Sequence, residues 1–526
     1  MDFTNGKIVF ILLVATLLSA AGALLLAQRY RAAMRRLMSA EAEAAPSPAP
    51  HATQAATAAS APLTWQDNRR AGRRIALLLV LLSALLSLSS AALFLGVAML
   101  DQHVLTPSRL TTLAVLNLWP VIPVLGLLWR WSRWRVAGAL LLWFAGSLAL
   151  IAWRSIEPQP LSSSLLFLAG EIGAPMLLIG ALCLGGATRA AAPWLLPLLM
   201  LLVGASVAGA DALAWVVAQR PQWLQRLPAA IDAYAVMAAF VLLPWLIAWW
   251  PAKWLGRTLA HAYARHWLSE LMVLFTAVWG IVLLLRMLGA WGDMGPASIV
   301  MLAPLGWIPL VMGIAARVHR PTGRPPTLLV LRVFQRDAQV QALFDEVVER
   351  WRASGNTLLI AGTDLVERTL DAGDIFGFLD GRLAERFVLH PSQLEARIAA
   401  FDLAPDAEGR HRINEVYCHD STWQQALDAL VAASDVVLMD LRSFKAHNRG
   451  CRHELGVLAS APRLARVVVL TDGDTALAEA RSDAAAAPVG RFVWVDGSRI
   501  DAAKRREVLR ALFVTDTRAT PLPAPT

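Results

Sequence analysis

What most constrains this chain is a series of nine apolar stretches, each of about 20 residues and all before residue 325. A helix of that length spans the hydrocarbon core of a bilayer, because it satisfies its backbone N–H and C=O groups internally. The stretches fall at roughly 8–28, 75–99, 110–129, 136–153, 163–187, 191–210, 229–250, 267–288 and 298–316. Beyond residue 325 the apolar runs shorten to those of a water-soluble domain. Of the 21 tryptophans, 18 lie before that point, as suits side chains that anchor at a membrane interface. With 57% hydrophobic and 17% charged residues, the chain is too apolar for one soluble globule.

Positive charge between the stretches predicts their orientation. If nine spans alternate, 18 Lys and Arg residues share one side, in the groups Arg29–Arg36, Arg69–Arg74, Arg130–Arg135, Arg189, Lys253–Arg265 and Arg317–Arg324. The other side receives five: Lys7, Arg109, Arg154, Arg220 and Arg226. Positive loops stay inside, so the expectation is a bacterial inner-membrane protein with its N-terminus periplasmic and its C-terminal domain cytoplasmic. The first stretch reads as an anchor and not as a cleaved signal peptide, since its apolar core is long and its positive charge follows it.

The resulting organisation is an anchor over 1–36, an Ala/Pro-rich cytoplasmic linker over 37–68, a polytopic region over 69–325, a cytoplasmic α/β domain over 326–515 and a disordered tail over 516–526. Residues 252–266 have the pattern of a short amphipathic helix along the inner leaflet. Residues 1–325 hold 24 Lys and Arg against 11 Asp and Glu, and residues 326–526 hold 24 against 28. The basic surplus is therefore a membrane-flank charge, which argues against nucleic acid as a partner and for the lipid bilayer. Three cysteines, Cys183, Cys418 and Cys451, give no disulfide framework and no Cys-based metal site.

Ionisable residues within spans are functional candidates, because burying them in lipid is costly. Glu171 lies inside the fifth span, where a structural partner and a ligand or proton site are both open readings. Asp211, Asp232 and Arg286 map near the outer ends of spans six, seven and eight, so that Arg286 has two aspartates in reach by depth. No internal repeat and no pair of broken helices marks a transporter's midplane site.

The C-terminal region alternates strands with helices. Expected strands are 327–334, 356–362, 412–419, 435–443, 466–472 and 491–497; expected helices are 337–354, 421–434, 450–461 and 502–513, with 365–403 an interrupted helical region. This alternation predicts a mainly parallel sheet covered on both faces, with ligands beyond the carboxyl ends of its strands. Neither GxxxxGK[ST] nor GxGxxG occurs. Asp472 and Asp474 read as a Mg²⁺-binding pair or a solvated turn. His419–Asp420 reads as an acid/base pair or as a helix cap.

The stretch SDVVLMDLRSFKAHNRGCRHELGVLASA (434–461) takes a buried strand through a polar loop into a helix bearing Cys451, Glu454 and Leu455. This resembles the TIR domain, whose corresponding helix carries a Trp-Cys-x-x-Glu-Leu motif; Gly450 stands in the place of the tryptophan. The resemblance implies a flavodoxin/TIR-like sheet, related to nucleoside deoxyribosyltransferase-like folds. It implies Glu454 as the catalytic residue for cleaving the nicotinamide–ribose bond of NAD, and Asp337, Ser443 and Cys451 as ligand-binding positions. It also implies self-association of the domain. A carboxylate beside a breaking N-glycosidic bond stabilises the cation that forms on the ribose. Equally, a carboxylate in the first turns of a helix is favoured by the helix dipole without any catalysis. Three function classes stay open: an effector enzyme acting on NAD or a related nucleotide, a non-catalytic nucleotide- or protein-binding module, and a transporter or channel with a regulatory domain.

Overall fold

The computed structural model describes residues 17, 21–37, 64–98, 105–155, 160–173, 175–177, 179, 186–219, 233–318, 324–332, 346–361, 372–381, 383–388, 390–418 and 422–513. The chain forms two units: Met1–Tyr30 with Leu79–Val311 and Leu370–Gly381, and Arg31–Leu78 with Met312–Thr369 and Arg382–Thr526.

The first unit is helical. Its principal helices are α1 (Trp65–Leu93, entering from the second unit), α2 (Pro107–Leu116), α3 (Val121–Leu128), α4 (Arg133–Arg154), α5 (Leu161–Leu168), α6 (Gly186–Gln219), α7 (Ala233–Ala264), α8 (Glu270–Met294) and α9 (Trp307–Val318). Among the described residues six helical spans are long and apolar enough to cross a membrane, and α2 with α3, bent by 41°, makes a seventh. These match six of the nine expected stretches, with the bent pair on 110–129. Most of the first stretch, and residues 174, 178 and 180–185 of the fifth, lie outside the described residues.

The caps are local. Ser132 accepts from the Arg135 N–H at 3.3 Å to start α4, and Ser269 accepts from the Met272 N–H at 3.0 Å to start α8. Helix α8 is the axis of this unit, with 67% of its span buried against 17% for α4. Its Leu274, Val278 and Ile281 pack with Leu116, Trp119, Ile172, Leu199 and Val203 in the bundle core.

The expected in-plane helix over 252–266 is corrected: those residues continue α7, whose 32 residues include Pro244 and Pro251. Such a helix is about 48 Å long, more than the hydrocarbon core needs, so composition alone mistook its polar end for a separate element. Pro244 has no N–H for the Phe240 carbonyl. A Cβ at Gly209 of α6 would overlap that carbonyl oxygen, so glycine is what lets the two helices approach there.

The second unit is built on a seven-stranded, wholly parallel sheet in the order β3-β4-β2-β1-β5-β6-β7. The strands are β1 (Thr327–Arg332), β2 (Asn356–Ala361), β3 (Phe387–Val388), β4 (Ile413–Cys418), β5 (Val436–Asp440), β6 (Arg466–Thr471) and β7 (Phe492–Asp496). Strand alternation divides the apolar residues between two faces. Leu329, Val437, Met439 and Val467 point to one core, and Leu328, Val330, Leu438 and Val468 to the other. The first face is covered by α11 (Leu394–Ala399), α12 (Trp423–Ala432), α13 (Arg449–Ser460) and α14 (Leu477–Asp483). The second is covered by helical residues 346–351 and α15 (Ala502–Ala511), with Trp65 against Phe513.

Six strands fall where the alternation predicts. The seventh, β3, lies in the region expected to be helical, and so does α10 (Ala372–Leu379), which belongs to the helical unit. There Ile375 packs with Ala191 and Leu195, and Phe376 stacks on Tyr263 at 4.9 Å. A flavodoxin-like sheet of five strands runs 2-1-3-4-5. Strands β2-β1-β5-β6-β7 follow that order, but β4 and β3 extend the sheet beyond β2. The order of the expected fold is thus corrected by two added edge strands, supplied by the long 362–435 connection.

Candidate functional site

In an open parallel sheet the ligand crevice lies where the strand order reverses. Here that is between β1 and β5, whose last residues, Arg332 and Asp440, are in register. The segment after β1, with Asp337, lies outside the described residues, as do 362–371 after β2 and His419–Asp420 after β4.

The loops after β5, β6 and β7 are fully described, and they are tied to one another. Arg442 returns its guanidinium to Asp440 at 3.1 Å and reaches the Gly497 carbonyl at 3.5 Å. Burial pushes the Asp440 carboxyl above its ordinary value, against the opposing pull of Arg442. Ser443 takes a left-handed backbone, φ 58°, which a non-glycine residue adopts only when held there. The holder is Asp472: it accepts the Ser443 N–H at 2.9 Å and its hydroxyl at 3.2 Å. Asp472 also accepts from Thr475 Oγ1 at 2.8 Å and from the Asp474 N–H at 3.1 Å. Burial works against its charge, but these hydrogen bonds hold its carboxyl below the usual range. Of the two readings of Asp472 and Asp474, these hydrogen bonds describe the turn. Asp472 is the anchor of the β5–α13 loop, and no cluster of three metal-ligating side chains occurs among the described residues.

Helix α13 carries the rest of the expected site. Cys451, Leu455, Leu458 and Ala459 form its buried face. Burial pushes the Cys451 thiol up to about 12, so it is a packed apolar group and no thiolate. On one flank Arg452 pairs with Asp483 of α14 at 2.8 Å. On the other, His453 stands edge-on to Trp423 of α12, with ring centroids 5.6 Å apart. A Cβ on Gly450 would meet the Trp423 ring at 3.9 Å, so the position that lacks the motif tryptophan has an aromatic ring beside it from a neighbouring helix.

Glu454 lies one turn beyond Cys451, at the margin of the buried face and on the side away from Arg452. It is half-buried, and burial alone pushes its carboxyl up to about 7. Among the described residues it has no hydrogen bond or ion pair. A carboxyl that titrates near neutrality without a partner is equipped for acid/base work or to meet a cationic ligand. The buried carboxylates Glu349 and Asp406 of this unit face arginines, Glu349 with Arg352 and Arg410, and Asp406 with Arg412.

Of the intramembrane candidates, Arg286 donates to Asn117 and to Ser90 Oγ and lies over the Phe94 ring at 5.5 Å. Of the two aspartates in its reach by depth, Asp211 is an exposed residue of α6 with no ion pair among the described residues. Asp232 and the side chain of Glu171 lie outside what is described; the backbone of Glu171 sits in a π-helical turn, Ala169–Gly173. Sequence reasoning missed Asn117, whose signal was Pro120 and Pro123 inside an apolar span. Comparison with known protein families, curated proteins and solved structures finds no match for this chain.

Proposed function

We propose that this multi-pass membrane protein is a signalling or effector protein whose α/β domain lies in the bacterial cytoplasm and acts on NAD or a related nucleotide through Glu454. The 18-to-5 division of Lys and Arg supports the orientation. The observation that carries the chemical reading is Glu454 itself, an unpartnered, half-buried carboxyl with a pKa of about 7. It stands on the helix that follows β5, the strand at the reversal of order. As a carboxylate it would stabilise the cation that develops when an N-glycosidic bond breaks. The TIR-like reading of Cys451, Glu454 and Leu455 fits this role, with Trp423 as the aromatic surface beside it. Asp337 and Ser443 would contribute from the loops after β1 and β5.

A non-catalytic binding module on the same scaffold is favoured by one observation. The N–H groups of Ser443, Asp474 and Ser498 at the strand ends are all taken by carboxylates of the domain.

The test is NAD consumption by the purified full-length protein at high concentration, so that the domains can associate. Turnover should rise as pH passes about 7 and be lost in Glu454→Gln with little change in KM, as for a group that acts on the transition state. Turnover unchanged in the variant removes Glu454 from catalysis. A wild type that is inert yet stabilised by NAD establishes the binding module.

A further inference from the structure

Two backbone irregularities of the helical unit line one cavity, and a third lies against its Arg286. Asn117 ends α2 at the 41° break before α3. The π-helical turn Ala169–Gly173 contributes Ile172, and the π-helical turn Phe94–Ala98 puts Phe94 against Arg286. Asn117, Arg286 and Ile172 line a cavity of about 50 Å³, together with Leu116, Trp119 and Leu285. Irregular backbone at membrane depth is tolerated where it lines such a cavity, and π turns recur at functional sites.

The chemistry of the lining is one-sided. Asn117 is 5% exposed, and Arg286 fixes which way its amide points: the oxygen accepts from the guanidinium, so the NH₂ is turned away from it. That Nδ2 is buried without a hydrogen-bond partner. A buried amide donor left unmade is costly and native structures rarely keep one without a purpose. Arg286 and Asn117 are the polar residues of the lining, with donor groups in the guanidinium and the amide NH₂, and the other lining residues are apolar. The fitting ligand offers only acceptors at one end and hydrocarbon at the other.

We infer that the cavity at Arg286 and Asn117 binds an oxyanion headgroup carrying an apolar tail, either a free aliphatic carboxylate or the phosphate of a membrane lipid. A carboxylate or phosphate oxygen accepts from Nδ2 and shares the guanidinium fork, while the tail runs along Leu116, Trp119 and Leu285. At 50 Å³ the cavity holds the headgroup and the first carbons, not a whole chain.

The experiment uses the full-length protein in neutral detergent, stripped of lipid and titrated with sodium hexanoate against sodium chloride. Thermal unfolding and tryptophan fluorescence are read together, because Trp119 lines the site. In a second arm the protein is exposed to phosphatidylglycerol vesicles and re-extracted, and retained lipid is counted by native mass spectrometry. A saturable rise in Tm with hexanoate assigns a free carboxylate, and retained stoichiometric lipid assigns a lipid phosphate. In whichever arm responds, Asn117→Leu should weaken binding by about tenfold and Arg286→Gln should abolish it. A wild type that shows neither saturation nor retained lipid overturns the inference whether or not the variants fold. So does an Asn117→Leu protein that is monodisperse and binds as tightly as wild type.

Discussion

The two units of this protein bury opposite kinds of polar residue and expose opposite kinds of apolar one. In the sheet unit the buried residues include Glu349, Arg352, Asp406, Arg410, Arg412 and Asp440, joined in ion pairs. Within 79–311 of the helical unit the buried polar residues are Asn117 and serines such as Ser90, Ser147 and Ser206. Outward-facing large apolar residues reverse the pattern. Leu142, Trp153 and Trp250 are 76%, 80% and 76% exposed in the helical unit, while among the described residues between 327 and 513 only Leu403 and Val489 are exposed large apolar side chains. The difference is the solvent. In water the sheet unit hides hydrocarbon and can afford desolvated charges if each has a counter-charge. In lipid the helices gain nothing by hiding hydrocarbon, so small hydroxyls and close helix contact hold them together.

The contrast is broken most severely at Glu349, which faces Arg352 and Arg410 with all three side chains buried. Glu349→Ala should destabilise the protein by about 3–5 kcal/mol, since two desolvated guanidinium groups lose their carboxylate. Calorimetry of the full-length chain checks this, and a loss below about 1 kcal/mol would mean the pairs are not truly desolvated.

Placing arginine at an outward apolar position separates the two solvents directly. Leu142→Arg, in the middle of α4, should cost about 2.5–3.5 kcal/mol of membrane insertion. Val489→Arg, fully exposed on the sheet unit, should stay within about 0.5 kcal/mol. Glycosylation-mapped insertion reports the first and thermal unfolding the second; equal effects would deny that α4 faces lipid.

Glu454 is a half-buried carboxyl of the sheet unit without a counter-charge among the described residues. Folding raises its pKa from 4.5 to about 7, so ionisation penalises the folded state and stability falls as pH rises through about 7. Glu454→Gln removes that penalty. The variant should match wild type at about pH 4 and exceed it by about 1–3 kcal/mol at pH 8.5. Parallel pH profiles of the two proteins would show that the carboxyl is solvated.

The smallest effect is expected at Ser206, whose Oγ accepts from Trp245 Nε1 at 2.7 Å between α6 and α7. Ser206→Ala should cost about 0.6 kcal/mol, the modest value usual for hydrogen bonds between helices in lipid. Denaturation in mixed micelles measures it; a loss near that of Glu349→Ala would erase the contrast between the units.

The reach of sequence reasoning follows the range of the interactions involved. Strand β5 and helix α13 appear within a few residues of their expected bounds, because period-two and period-3.6 apolar patterns are local. Strand β3 was illegible: two residues, Phe387 and Val388, become a strand only because β4 lies beside them. Helix α10 shows a similar limit, since nothing local in Ile375 and Phe376 says that their partners are Ala191 and Tyr263. At the candidate site the sequence pointed to Glu454 and Cys451 through a short motif. It could not tell that Cys451 is core, or that Asp472 holds Ser443, because those facts depend on residues brought together from different strands.

By itself the sequence determined that the runs apolar and long enough to meet lipid all lie before residue 325 and that shorter runs follow, since run length and charge between runs answer to the solvent alone. It also determined most strands and helices of the sheet unit, through periodicity. Tertiary structure alone decided the order of the seven strands, the reversal between β1 and β5, and the meeting of Arg286 with Asn117 across 169 residues of chain. It decided as well which carboxyl kept a counter-charge and which did not. Burial and pairing are properties of space and not of neighbours in sequence, and Glu454 differs from Glu349 by nothing that either residue carries.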